Sequence, residues 1–241
     1  MELIIYILVI FLIINSCTHD KNSAVKENSN SDSLIVLARK RIYHDDGRRT
    51  YTDWIKFQTR TIHQLAGYNS PRQPAKQNKY GGRKDMRLEP TEFFHVRKID
   101  GRWWGVDPEG CLFIHVAINS INNWTSWSGK PFIITEWYVK GEDSGLPNQS
   151  GAGWIVKTQT DRGLFYQNYT LALLESGNCV GWHWFKYQDN DPTLQGAELS
   201  NIDANKGIVN YYYEEYKPLL NLMSEINKQV YDLSAYFMGK H

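Results

Sequence analysis

Three short apolar runs bounded by glycine or proline constrain this chain most: Cys111–Ile118 (CLFIHVAI), Pro131–Thr135 (PFIIT) and Cys179–Phe185 (CVGWHWF). Continuous runs of this length suit strands covered on both faces. Between the last two lies a helix signal. Thr158 or Thr160 can cap it, Asp161 sits in its first turn, and Leu164, Phe165, Tyr169, Leu171, Ala172 and Leu174 are its apolar residues before Gly177 ends it. A second helix starts at Pro218 and runs towards Met238, with Leu219, Met223, Ile226, Val230, Leu233 and Phe237 stepping by fours and threes. That stripe is packing. Strand, helix, strand, helix in this order reads as βα units on a parallel sheet.

Upstream, Phe93–Ile99 and Arg102–Val106 flank Asp100-Gly101, a dipeptide suited to a type I′ hairpin turn, and Asp107-Pro108-Glu109-Gly110 makes the next turn. Residues 34–110 therefore read as a β-rich N-terminal region with a meander, and residues 111–241 as the βα part. The stretch Ser70–Arg87 carries six basic residues and one acid among prolines and glycines, and a charge run of this kind is ordinarily a solvated surface.

Residues 1–17 read as an export signal. Leu3–Ile14 is twelve apolar residues without a break, too few to span a bilayer and typical of a signal-peptide core. Ile14-Asn15-Ser16-Cys17 resembles a bacterial lipobox, which makes Cys17 the lipidated residue, although the region before it holds Glu2 and no Lys or Arg. Residues 18–33, polar and rich in Ser and Asn, read as a flexible tether. The expectation is an exported lipoprotein held to a membrane, on its periplasmic or cell-surface side, by an N-terminal lipid. Cys111 and Cys179 then remain, ordinarily buried thiols, with a single disulfide as the alternative in an oxidising compartment.

The composition excludes some partners. With 27 Lys+Arg against 26 Asp+Glu the net charge is +1, which gives no long-range field for gathering phosphates, so nucleic acid is not expected. Hydrophobic residues at 41% and charged residues at 22% describe a folded globular body. Nine Trp, fifteen Tyr and nine Phe bring the aromatic share to 14%, which suits binding of something flat.

In βα architectures reactive groups come from the C-terminal ends of strands. Pro131–Thr135 is followed at once by Glu136, Trp137 and Tyr138, and Cys179–Phe185 contains Trp182, His183 and Trp184. Sugar rings stack on indoles, and a carboxylate meets the oxocarbenium-like transition state of glycoside cleavage. A lone Glu136 would ordinarily be a salt-bridged surface residue. His183 could equally be a structural hydrogen-bonding partner or a metal ligand, but no second His lies at ligand spacing, so no metal is expected, and no cofactor either.

The wording around these residues is more specific. GKPFIITEWYVKGEDSG (Gly129–Gly145), SGAGWIVKTQTDRGLFYQNYTLALLES (Ser150–Ser176), CVGWHWFKYQDND (Cys179–Asp191) and SNIDANKGIVN (Ser200–Asn210) closely resemble the C-terminal part of β-agarases of glycoside hydrolase family 50. Lys79-Tyr80-Gly81-Gly82 and GRWWGVDPEGCLFIHVAINS (Gly101–Ser120) look like that family's entry into its barrel. The resemblance implies an α/β fold built as a partial (β/α)₈ TIM barrel of the retaining glycoside hydrolase type. Cys111–Ile118, Pro131–Thr135 and Cys179–Phe185 would be its first, seventh and eighth strands. It implies Glu136 as nucleophile, Trp137, Trp182, His183 and Trp184 in the sugar subsites, Asn119 on a sugar hydroxyl, and agarose-type polysaccharide or oligosaccharide as partner.

Only ten residues, Ile121–Lys130, join the first of these strands to the seventh, and ten residues cannot hold five βα units. Strands two to six have no room, and with them goes the family's general acid/base, since a retaining glycosidase needs two carboxylates about 5–5.5 Å apart. Glu142, Asp143 and Glu175 are the nearby carboxylates. Strands one, eight and seven could still form a three-stranded sheet, with Cys111 and Cys179 on adjacent strands. Two readings follow. One is an agarase-like glycosidase acting on β-1,4-galactosidic bonds, its catalysis crippled or lost by the shortening. The other is a non-catalytic, lipid-anchored galactan-binding protein, or more simply a degenerate gene product that folds poorly.

Overall fold

A computed structural model of the chain describes residues 34–239 apart from 72, 118–128, 195, 197, 198 and 200. They belong to one unit, Ser33–His241. The strands are β1 (Leu34–Tyr43), β2 (Arg49–Tyr51), β3 (Ile55–Thr59), β4 (Arg83–Arg87), β5 (His95–Ile99), β6 (Arg102–Val106), β7 (Cys111–Phe113), β8 (His115–Ala117), β9 (Phe132–Trp137), β10 (Val139–Gly141), β11 (Trp154–Val156) and β12 (Cys179–Trp184). The helices of eight or more residues are α1 (Gln159–Glu175), α2 (Lys217–Asn227) and α3 (Val230–Met238).

The expected meander is an antiparallel sheet of order β4-β7-β6-β5. At the β5–β6 turn Asp100 and Gly101 have φ of 49° and 81°, the two positive values a type I′ turn requires. In the next turn the Asp107 carboxylate accepts from the amides of Glu109 and Cys111 at 2.9 and 3.0 Å, which fixes the reversal into β7. A second sheet is built round β1, which pairs antiparallel with β2, β3 and β11, while β10 lies parallel to β11.

The third sheet positions the site. It has the order β8-β12-β9 with both pairings parallel, the arrangement expected of the first, eighth and seventh runs. It is open and does not close into a barrel, so the described fold is mixed α/β with three separate sheets. The run CLFIHVAI is not one strand. It changes sheets at Ile114: Cys111–Phe113 pairs in the meander and His115–Ala117 in the parallel sheet. Cys111 and Cys179 therefore lie in different sheets, not on adjacent strands, and both are free buried thiols.

Helix α1 is capped as its sequence predicts. The Thr158 hydroxyl accepts from the Asp161 amide at 3.1 Å, and the Asp161 carboxylate accepts from the Thr158 amide at 3.0 Å. Its buried face differs from the apolar list. Leu164 and Phe165 pack on Val36, Ala38 and Val156 of the β1 sheet, while Tyr166, Leu171 and Leu174 enter the main core. The helix is thus covered from two sides, which draws Arg162, Gln167 and Thr170 out of water as well. Where it crosses α2, Gly163 leaves no room for a side chain, since a Cβ there would lie 2.5 Å from Leu222.

The expected single C-terminal helix is two, interrupted at Lys228–Gln229, with Pro218 second in α2 rather than first. Its stripe holds across the break: Leu219, Met223, Ile226, Val230, Leu233 and Phe237 are all buried in the main core beside Trp104, Trp182 and Trp184.

Candidate active site

Between the pairs Trp182↔Ile134 and Trp184↔Trp137, one residue of β12, His183, stands opposite two of β9, Thr135 and Glu136. This is a β-bulge, a device that re-aims a side chain at the end of a strand. It lets Ile134 and Trp137 both face the core while Glu136, between them, is exposed. Strand β9 thus runs two residues past the apolar run, and Glu136 sits inside its end rather than beyond it.

The same bulge sits beside His183, whose ring is 5.0 Å from that of His115 on β8. Burial holds both imidazoles below their usual pKa, and the nearby His115 adds to this for His183. Beyond β9, Tyr138 packs 4.0 Å from the Lys206 ammonium. Its hydroxyl is pushed up by burial and by the nearby charge of Glu136.

The tryptophans are elsewhere. Trp182 and Trp184 are 0% and 1% exposed, with Nε1 of Trp182 donating to the Tyr166 hydroxyl at 2.9 Å and Nε1 of Trp184 to the Lys206 carbonyl at 2.8 Å. Trp137 is half-buried, stacked on Tyr166 at 5.3 Å and against Tyr169 at 4.4 Å and Trp184 at 5.1 Å. Trp182 and Trp184 present no face to a sugar. The expectation that Trp182, His183 and Trp184 line one surface fails on strand periodicity: alternate residues of β12 point to opposite faces. His183 takes the open face and both indoles the helix side. Asn119 and Cys17 lie outside the described residues.

The three carboxylates considered as replacement acids are engaged. Glu142 pairs with Arg39 at 2.7 Å and Lys157 at 2.8 Å. Asp143 accepts from the backbone amide and side chain of Gln159 at 3.0 and 2.9 Å. Glu175 pairs with Arg60 at the last residue of α1, the end that leads into the start of β12.

Sequence reasoning missed a buried polar network behind the strand ends. The Asp189 carboxylate accepts from Asn205 Nδ2, the amides of Lys206 and Gly207, and the Tyr216 hydroxyl at 2.6–2.8 Å. Arg162, wholly buried, donates to the carbonyls of Val139 and Gly207 and to Gln159 Oε1. Lys140, also wholly buried, donates to the carbonyls of Asn148, Ser150 and Gly151 at 3.1–3.3 Å. Burial, with Arg41 and Lys206 nearby, lowers its pKa to about 7 against the pull of Asp203. The only hint in the sequence was the polar run SNIDANKG after so apolar a strand.

The crystal structure of BpGH50 matches this fold with a TM-score of 0.67 at 18% identity, over 90% of this chain and 99% of that one. An agarase, AgWH50C, matches at 0.38 and 24% identity over 42% of this chain and 15% of its own, and an exo-beta-agarase at 0.39 and 28% over 44% and 14%. This chain thus spans a small part of those two. No family model and no curated protein matches the sequence. The chain has a GH50-like fold.

Proposed function

We propose that this protein is an agarase-like glycoside hydrolase relative that engages agarose-type galactan at the C-terminal end of the β8-β12-β9 sheet, with Glu136 as the carboxylate that meets the sugar. The observation that carries this reading is the bulge that turns Glu136 out of the core at the end of a parallel strand, within a fold like that of BpGH50. The three strands are read as the first, eighth and seventh of a (β/α)₈ wall. The extent of the likeness, 99% of BpGH50, supports a shortened fold that is stable in its own right rather than a degenerate chain. In a retaining reaction Glu136 would attack the anomeric carbon as the glycosidic C–O bond breaks, the leaving oxygen taking its proton from water because the nearby carboxyls Glu142, Asp143 and Glu175 are engaged. A second water would then hydrolyse the covalent glycosyl intermediate and free Glu136.

The engagement of Glu142, Asp143 and Glu175 favours a second reading, in which sugar is bound and not cleaved. Reducing-end release from agarose, together with thermal melts with and without millimolar agaro-oligosaccharide, separates the two. A sugar-dependent rise in the melting temperature with reducing ends that vanish in Glu136→Gln supports the hydrolase. The same rise with no reducing ends identifies a binder. A melt indifferent to sugar sinks both.

Anchoring through a lipidated Cys17, and export with it, is also part of the proposal and rests on the lipobox-like sequence. Among the described residues no helix is long and apolar enough to cross a membrane. Labelled palmitate that enters the expressed protein but not Cys17→Ser would support the anchor. Equal labelling of both, or of neither, would remove it.

A further inference from the structure

His115 and His183 come from strands that the sequence gives no reason to pair through their histidines. In the register of β8 with β12, Gly181 stands opposite His115 and His183 opposite Ala117, so the two imidazoles lie diagonally on one face of the sheet. Their ring centroids are 5.0 Å apart with the planes tilted by 57°. Both nitrogens of His183 are shut off from solvent with no hydrogen-bond partner among the described residues. His115, though exposed, makes no hydrogen bond to a described residue either.

The other described histidines behave differently. His44 is bonded to Thr50, His63 to Glu225, and His95 to Thr91 and Phe93. Leaving a buried donor and acceptor unmade costs free energy, and such a group calls for an explanation.

We propose that His115 and His183 together bind a borderline divalent transition-metal ion, Zn²⁺, Cu²⁺ or Ni²⁺. Two imidazoles that share an ion at metal–nitrogen distances of about 2.0–2.1 Å, at an angle near tetrahedral, have their ring centres about 5 Å apart. Nitrogen donors select this class over Mg²⁺ and Ca²⁺, which take oxygen. Among the described residues no group of three or more His, Cys, Asp or Glu could hold a metal ion, so these two imidazoles are the protein ligands assigned, with water or an added ligand reaching the ion from the side of the exposed His115. The site stands independently of any role for Glu136.

Equilibrium dialysis of the tag-free full chain at neutral pH against CuCl₂, NiCl₂, ZnCl₂, MgCl₂ and CaCl₂ tests this. The expected result is one Cu²⁺ per chain, bound more tightly than Ni²⁺ or Zn²⁺, with no uptake of Mg²⁺ or Ca²⁺. His115→Gln and His183→Gln should each weaken binding by at least about tenfold, the scale seen even for lost outer-shell partners. The paramagnetic resonance spectrum of the Cu²⁺ form should show coupling to two nitrogens, falling to one in His115→Gln. Stoichiometric binding that survives both substitutions unchanged, or no stoichiometric binding of any of the three ions by the unaltered chain, overturns the proposal. His115 is exposed, so if His183→Gln does not fold, His115→Gln alone decides.

Discussion

Two regions flank the end of β12, and they treat polar groups in opposite ways. Behind it, Arg162, Lys140 and Asp189 are sealed from water, and each is surrounded by partners: carbonyls for the two cations, two backbone amides and two side chains for the acid. On the open face, the nitrogens of His183 are equally sealed and have no partner among the described residues. A fold dominated by packing would pair both regions or avoid polar residues in both. The network behind the strand ends is therefore scaffolding for the Asp189–Gly207 segment, whereas the open face is left unfinished by the described groups.

Breaking the paired region should have the largest effect. Arg162→Met removes the cation but leaves the carbonyls of Val139 and Gly207 and the Gln159 amide oxygen without their donor. A loss of about 3–5 kcal/mol is expected, as for other buried charged groups stripped of one side. Urea unfolding followed by fluorescence would read it as a lower midpoint at an unchanged slope. A loss below about 1 kcal/mol would mean the network is incidental.

Trp182 tests where the indoles belong. Trp182→Phe removes the donor to Tyr166 and leaves a small cavity where the rest of the indole was, and should cost about 2–4 kcal/mol. Because the ring lies wholly in the core, any shift of the melting temperature by agaro-oligosaccharide should be the same size in variant and parent. A shift abolished in a variant that still folds would return Trp182 to the sugar site.

Much of this fold was legible in the residues. Asp100-Gly101 named its turn, Thr158 and Asp161 named a helix start, and the three apolar runs supplied the parallel strands, because in each case the deciding interaction is local. The fate of the two indoles was legible too, through the period of two on either side of His183. What local pattern cannot carry is pairing between distant segments. Nothing near Ile114 signals that the chain leaves one sheet for another. Nothing near His183 signals His115, which lies 68 residues away and meets it only through strand register. A buried Lys140 or Arg162 reads in sequence as an ordinary surface charge. The bulge at Glu136 depends on how β9 meets β12, so the sequence located the carboxylate but not the turn that exposes it.

A smaller effect separates the two regions by pH. Between about pH 7 and pH 10 the unfolded chain keeps the proton on Lys140 while the folded chain, its pKa lowered to about 7, has released it. Folding stability therefore rises with pH across that window, and the gain is absent below about pH 7, where both states are protonated. The three carbonyls on Nζ favour the ammonium and offset part of the burial, which narrows the window from its lower end; inside it the slope should approach the single-proton limit of about 1.4 kcal/mol per pH unit. Lys140→Met should flatten it. Denaturant midpoints taken across the window would show a slope unchanged by the substitution if Lys140 stays charged in the folded protein.

The smallest effect belongs to the open face. His115 is exposed and makes no hydrogen bond to a described residue, only ring contacts with Phe113 at 6.4 Å and His183 at 5.0 Å. His115→Gln should then change stability by no more than about 0.5 kcal/mol in metal-free buffer, the usual range for surface positions. If the pair holds an ion, the parent should gain stability when Zn²⁺ is added and the variant should not, because only the native state brings the two imidazoles together. A large loss in metal-free buffer would place His115 with the scaffolding instead, and the contrast between the two regions would disappear.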